Sequence, residues 1–263
     1  MKYQLEKIIA ENLITTVFQP IYDVSQEVVF GYEALTRGPK NSALYSPDDL
    51  FDHATRYHLL SELELICRAS AIKNFAKLKL NGKLFINVSP AVMLNKDHPN
   101  GETIKLVENA GIACDQVVIE ISEKYPFPNS DVLRNAINKY RHFGFKVAID
   151  DLGAGYSGLK QWNHLRPDIV KIDRYFIDGC DQDAMKREFL RVLFELGHIS
   201  NARVIAEGIE TKAEFELLKT LGMEYAQGFY LAKPNEHPSS QYPFLSTPKT
   251  LINAQTHHKN AVA

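Results

Sequence analysis

Apolar positions along the chain alternate between two patterns. Eight short runs rich in Val, Ile, Phe and Tyr read as strands: TTVFQPIYD (15–23), VVFGYEAL (28–35), LFINVS (84–89), VVIEIS (117–122), FKVAIDD (145–151), DIVKID (168–173), RVIAEGI (203–209) and EYAQGF (224–229). Between most of them apolar residues recur at helical spacing, predicting helices over 47–57, 59–78, 102–110, 130–143, 184–198 and 211–221. Ser46 before Pro47, and Thr211 three residues before Glu214, are helix start signals, the second with capping-box spacing.

Only VSQEV joins the first two runs, too short for a parallel crossover and long enough for a hairpin, so that pair is expected to be antiparallel. The rest alternate as a β/α barrel does. The expected class is therefore α/β: a (β/α)8 barrel with an antiparallel first strand pair, an open doubly wound sheet being the alternative. After Pro234 the chain loses any periodic apolar face, which sets a barrel over 1–235 and a polar, mobile tail over 236–263.

Composition narrows the function. The 263 residues carry 30 Lys+Arg against 32 Asp+Glu, a balance without the positive field of a DNA or RNA binder. Cys67, Cys114 and Cys180 form no Cys-x-x-Cys pair, which points to a reducing compartment and away from thiolate zinc. The amino terminus has no signal-peptide core and no run approaches the roughly 20 apolar residues of a membrane span, so the expectation is a cytoplasmic protein with no membrane contact.

The informative feature is positional. Glu33, Asn87, Glu120, Asp150 with Asp151, Lys171 with Asp173, Glu207 and Gln227 all fall toward strand ends, which converge on one face of a β/α barrel. Carboxylates gathered there would repel by roughly 4 kcal/mol per pair at 4 Å and an effective dielectric near 20. Protons or cations must relieve that. An all-oxygen donor set suits Mg²⁺, Mn²⁺ or Ca²⁺, and adjacent aspartates allow one to bridge two ions, the arrangement of two-metal phosphoester hydrolysis. Lys171 could orient or deprotonate a water, or pair with a phosphate oxygen.

Residues 153–158, GAGYSG, match G-x-G-x-x-G, but Asp150 and Asp151 stand directly before them and would oppose a pyrophosphate. The glycines read instead as a flexible loop beyond a metal-binding strand.

Eight ordered motifs then carry a resemblance over about residues 15–235: FQPI at 18–21, EALTR at 33–37, NVSP at 87–90, EISE at 120–123, DDLGAGYS at 150–157, KID at 171–173, AEGIE at 206–210 and QGF at 227–229. The chain resembles the EAL domains, cyclic di-GMP phosphodiesterases. The resemblance implies a modified TIM barrel that cuts cyclic di-GMP to linear pGpG with two Mg²⁺ or Mn²⁺ ions; Ca²⁺, with its larger and looser coordination, is expected to inhibit. It implies that Glu33, Asn87, Glu120 and Asp150 hold one ion, and Asp150, Asp151 and Glu207 the other. Lys171 would position the water with Gln227 close by, Glu123 would tether the 150–157 loop, and Asp173 and Glu210 would support the ligands. Gln19, Leu35 and Arg37 look like substrate contacts.

Thr36, Leu152, Ala154 and Gly158 depart from the usual family residues without touching an expected ligand. The rival reading is a cyclic di-GMP receptor or protein-interaction module, as in relatives that have lost ligands. Tyr156 and Tyr230 are candidates for stacking on guanine, or for ordinary packing. Regulation is expected through expression, a regulatory protein partner, or a homodimer formed at a barrel edge, since the chain leaves no room for a sensor domain beyond the barrel.

Overall fold

The computed structural model describes residues 1–94, 101–122, 130–155 and 158–244. Eight strands close into a barrel in chain order: β1 Thr15–Asp23, β2 Val28–Arg37, β3 Lys83–Asn87, β4 Val117–Ser122, β5 Lys146–Leu152, β6 Ile169–Ile172, β7 Arg203–Ala206 and β8 Tyr225–Ala226. β1 alone runs against its neighbours, pairing antiparallel with β2 and with β8, while every other pair is parallel. The short hairpin in the sequence has this consequence: one inverted strand in an otherwise parallel barrel.

Helices cover the outside: α1 Lys2–Ala10, α2 Pro47–Arg56, α3 Leu60–Lys77, α4 Pro90–Met93, α5 Glu102–Asn109, α6 Ser130–His142, α7 Gly158–Leu165, α8 Arg174–Ile177, α9 Ala184–Ser200 and α10 Lys212–Thr220. The expected start of α10 is present, with the Thr211 hydroxyl accepting from Glu214 N and the Glu214 carboxylate accepting from Thr211 N. Gly158 opens α7 rather than extending the glycine loop, and the helix ends two residues before Pro167, which denies the helical conformation to the residue ahead of it.

Two differences from the sequence reading bear on the site. β2 runs to Arg37, not 35, because its last residues stay paired with β1, Leu35 opposite Val17 and Arg37 opposite Thr15. The polar segment after Pro234 also stays on the barrel as far as it is described. Asn235 bridges Phe18, Tyr242 packs edge-on to Tyr22, and Phe244 meets Phe215 and Tyr230. Two aromatics in SSQYPF hold that stretch against the barrel, Tyr242 buried and Phe244 still partly exposed; residues 245–263 lie outside the described part.

The barrel interior is layered by the two-residue period of its strands. Ile21, Phe85, Val118, Ala148, Ile169, Ile205 and Tyr225 form one buried apolar layer. Gly31 takes the β2 place in that layer, where a Cβ would press on the Phe85 ring and the Lys83 backbone. Two residues further toward the mouth, each strand offers a polar side chain: Gln19, Glu33, Asn87, Glu120, Asp150, Lys171, Glu207 and Gln227. In β1 that step runs backward along the chain, from Ile21 to Gln19, because the strand is inverted.

Candidate active site

The polar layer closes around Lys171, which is 1% exposed. Its ammonium lies 2.6 Å from Glu207 Oε1, 2.7 Å from Glu120 Oε1, 3.0 Å from Asp150 Oδ1 and 3.1 Å from Glu33 Oε2. An ammonium has three N–H directions, so four carboxylates cannot all be served. Glu120 Oε1 and Asp150 Oδ1, though within ion-pair distance, receive no hydrogen bond.

Electrostatics follow from burial and crowding. Burial, with Glu33 and Asp150 adding to it, holds the Glu120 carboxyl well above the usual carboxylate range despite Lys171. Burial with Asp150 and Glu33 does the same to Glu207. Burial alone would lower the Lys171 pKa, but Asp150, Glu120, Glu207 and Glu33 outweigh it and keep the amine protonated well beyond the ordinary lysine range. The cluster thus takes up protons and one ammonium, the expected response of acids packed together in the absence of further positive charge.

Both adjacent aspartates reach the mouth, although successive strand residues normally face opposite sides. The β5–β6 register slips between Ile149 and Leu152, and Asp151 adopts a left-handed φ of 56°. Ser122 Oγ then donates to Asp151 Oδ2 at 3.0 Å. Two sets of carboxylate oxygens result, Glu33–Glu120–Asp150 and Asp150–Asp151–Glu207, each with its oxygens within 4.8 Å of one another. Asp150 belongs to both. Hard divalent cations fit this set: the donors are all oxygens, and two buried ones lack hydrogen bonds.

Glu33 sits mid-strand in β2 with Gln227 against it: Gln227 Nε2 donates to Glu33 Oε2 at 2.7 Å and to Gln19 Oε1 at 3.2 Å. Gln19 Nε2 donates in turn to Ala232 O. Asn87 is exposed at the end of β3, its amide 3.4 Å from Glu120 Oε2 and 3.5 Å from Glu33 Oε1.

A cavity of about 280 Å³ opens over these groups, lined by Gln19, Glu33, Asp150, Asp151, Lys171, Asp173, Glu207, Glu210 and Gln227 among the expected residues. Asp173 also caps α8 by accepting from Tyr175 N. Glu210 is ion-paired with Arg174, a rim residue the sequence reading passed over although it follows KID directly. Leu35 and Arg37 are not among the lining residues. They share the Glu33 face of β2 but stand higher on its extension, where Arg37 Nη1 donates to Thr36 O. Glu123 and Tyr156 lie outside the described residues. Tyr230 packs between Phe215 and Phe244, and the exposed aromatic of the rim is its neighbour Phe229.

Outside the strand wall, on α3, lies a pair that sequence reading missed. Glu64 and Arg68, 4% and 1% exposed, face each other on α3 at 3.2 Å. The Glu64 carboxylate accepts from Ser89 N, two residues beyond Asn87, while Ser89 Oγ caps α4 by accepting from Val92 N. The signal was two charges four residues apart in an otherwise apolar helix segment, LELICRAS.

The EAL domain family model matches residues 3–234, nearly the whole barrel. The chain belongs to the EAL domain family. Among the relatives of this EAL domain is a probable cyclic di-GMP phosphodiesterase, PdeA of Escherichia coli K12, 29% identical over 220 residues that make up 82% of this chain and 30% of PdeA. The chain spans between 28% and 50% of the length of curated relatives it matches. Among solved structures, a standalone EAL protein of Vibrio cholerae O395 in its cyclic di-GMP-bound form is 31% identical with a TM-score of 0.78, covering 88% of this chain and 96% of that one. Klebsiella pneumoniae BlrP1 in complex with manganese and cyclic di-GMP is 28% identical, TM-score 0.78, over 85% of this chain and 56% of that one.

Proposed function

We propose that this EAL domain hydrolyses cyclic di-GMP to linear pGpG with a water activated between two divalent cations, Mg²⁺ or Mn²⁺, lowering the level of that second messenger. The observation that carries the reading is the pair of carboxylate triads sharing Asp150 at the mouth of a barrel. Relatives named as cyclic di-GMP phosphodiesterases, and similar structures that hold the dinucleotide, support the substrate.

Glu33, Glu120 and Asp150, with the Asn87 carbonyl after a rotation of its amide, would hold one ion; Asp150, Asp151 and Glu207 would hold the second. Two such ions supply charge neutralisation at the scissile phosphate and a lowered pKa for water. The remaining work falls to this chain. Lys171, beside Glu33, Glu120, Asp150 and Glu207, would orient or deprotonate the attacking water, or pair with a phosphate oxygen. Gln227 fixes the Glu33 rotamer, and its own Oε1, buried without a partner, is free to accept from the water. Asp173 and Glu210 with Arg174 hold the rim, Glu123 tethers the 150–157 loop, and Gln19, Leu35 and Arg37 contact substrate, Arg37 through phosphate by guanidinium geometry.

A homodimer is part of this reading. Met185, Phe189, Val192 and Ile199 form an exposed row on α9 at spacings of four, three and seven, the spacing of a helix-pairing seam, and are 67, 51, 51 and 76% exposed. A regulatory protein partner and a cytoplasmic location complete the proposal.

The test is chromatography of cyclic di-GMP incubated with the protein under Mn²⁺, Mg²⁺, Ca²⁺ or EDTA. Linear pGpG forms with Mn²⁺ or Mg²⁺ and not with EDTA, and Ca²⁺ binds yet inhibits because its looser coordination holds the water poorly. Intact dinucleotide that still binds in calorimetry would replace the enzyme by a receptor, and equal rates with Ca²⁺ and Mn²⁺ would contradict the two-ion chemistry.

A further inference from the structure

Phe229 is 52% exposed, yet it stands on one of the most constrained turns of the protein. A Cβ at Gly228 would collide with the Ile209 backbone, so the chain passes there only as glycine. Hydrogen bonds from Ile209 N to Gln227 O and from Tyr230 N to Ile209 O clamp the turn on both sides. The residues around Phe229 are spoken for: Gln227 is buried against Glu33, Tyr230 packs on Phe215, and Leu231 is buried. Phe229 alone leaves the core, and it lines the same cavity as Glu33, Asp150, Asp151 and Glu207.

A phenyl ring held in water at the edge of an acidic cavity gains nothing from packing. Its π face is available, and Lys233 Nζ stands 5.7 Å from the ring centroid, where the ring quadrupole attracts a cation. One side of the ring thus meets positive charge while much of the remainder stays open. A flat aromatic ligand would meet a rigid, preplaced surface there, at little cost in ordering. The acidic groups below would take the phosphate end through cations and offer a base no apolar contact of their own.

We propose that Phe229 is a stacking platform for one purine base of the substrate, with Lys233 fixing the ring from beside it. The inference rests on the cyclic di-GMP reading and extends it from the phosphodiester to the base: the acidic cluster recognises the phosphate, and Phe229 sets the preference for a dinucleotide with large planar bases. Because the ring touches the base and not the reacting atoms, its loss is felt in binding far more than in the chemical step.

Steady-state kinetics of the full chain with cyclic di-GMP and Mn²⁺ separate the two. Phe229→Ala raises KM roughly tenfold, the usual effect of removing one base-stacking aromatic, with kcat nearly unchanged, and Phe229→Trp restores KM. Binding of cyclic di-GMP to Phe229→Trp in Ca²⁺, which holds the ligand without turning it over, is verified by calorimetry and quenches the introduced indole, while Trp162, the single native tryptophan, is buried and constant. An unchanged KM in Phe229→Ala, a loss confined to kcat, or an unquenched indole with ligand bound overturns the platform. If the wild type neither turns over nor binds cyclic di-GMP, the phosphodiesterase reading falls and the platform with it. An active wild type beside an indistinguishable Phe229→Ala overturns the platform alone.

Discussion

Gln227 Nε2 donates to Glu33 Oε2 at 2.7 Å, tying the residue just past the last strand to the second strand across the inverted first one. Gln227 thereby decides where the Glu33 carboxylate points. Removing a hydrogen bond to a charged group costs about 1.5–3 kcal/mol, so Gln227→Ala should lower kcat/KM roughly 10- to 100-fold with an unchanged circular dichroism spectrum. Gln227→Glu, which adds a carboxylate to an anionic cluster, should be worse than Ala. Wild-type turnover in the Ala variant would remove Gln227 from the site.

Among the described residues, Lys171 is the only cation beside the four carboxylates that lie within 3.1 Å of its ammonium. In EDTA, Lys171→Met should cost about 3–5 kcal/mol, because it leaves buried acids uncompensated. Added Mn²⁺ should then raise the Tm of Lys171→Met by more than it raises that of the wild type, since the ion replaces the lost charge. Calorimetric scans with and without the ion check this, and equal Mn²⁺ shifts would mean that the cluster is not the cation site.

Burial pushes the Glu64 carboxyl up to about 7, against the opposing pull of its hydrogen bonds from Ser89 and of Arg68. Its folded pKa exceeds the unfolded value, so the native state binds more protons between about pH 4.5 and 7, and stability from this group falls as pH rises through that window. The full effect is roughly 3 kcal/mol. Glu64→Gln should therefore lose part of the decline in urea midpoint between pH 5 and 7. Parallel pH profiles for the two proteins would show that Glu64 titrates normally.

Gly153, two residues past Asp151, has φ of 104°, and the Phe176 ring occupies the space a Cβ would take. Gly153→Ala therefore combines backbone strain with overpacking and should cost about 2–4 kcal/mol. Gly179→Ala, where φ is 65° and no atom lies within 4 Å of the added Cβ, carries only the backbone penalty and should cost less. Urea titration of both variants tests the difference; similar losses would mean that Phe176 simply moves aside.

Much of the site was legible because barrel geometry converts a sequence period into a position in space. A polar residue two places beyond an apolar inward one, as in Phe85–Asn87 or Ala148–Asp150, faces the mouth on each parallel strand, and the inverted β1 reverses the step to Ile21–Gln19. The inversion of β1 was legible from VSQEV for a similar reason, since five residues cannot cross a barrel wall. The bulge that turns Asp151 inward was not, because a register slip leaves no periodic trace. Nor was the height of Leu35 and Arg37 above the cavity, which depends on how far β1 keeps β2 paired. Glu64 and Arg68 escaped because buried ion pairs break the polar-outside rule on which sequence reading rests, and Phe229 because an exposed aromatic is invisible until its neighbours are placed.

The inverted β1 has a further consequence for anything joined to the front of the chain. Thr15 pairs with Arg37 at the mouth end of β2, and Gln4 of α1 donates to Ser42 just past that end. In an all-parallel barrel the first strand enters from the face away from the chemistry. Here the polypeptide arrives on the catalytic side, so a fused domain, a tag or a docked partner gripping α1 would stand beside the substrate entrance and could shade it directly, with no signal relayed through the barrel wall.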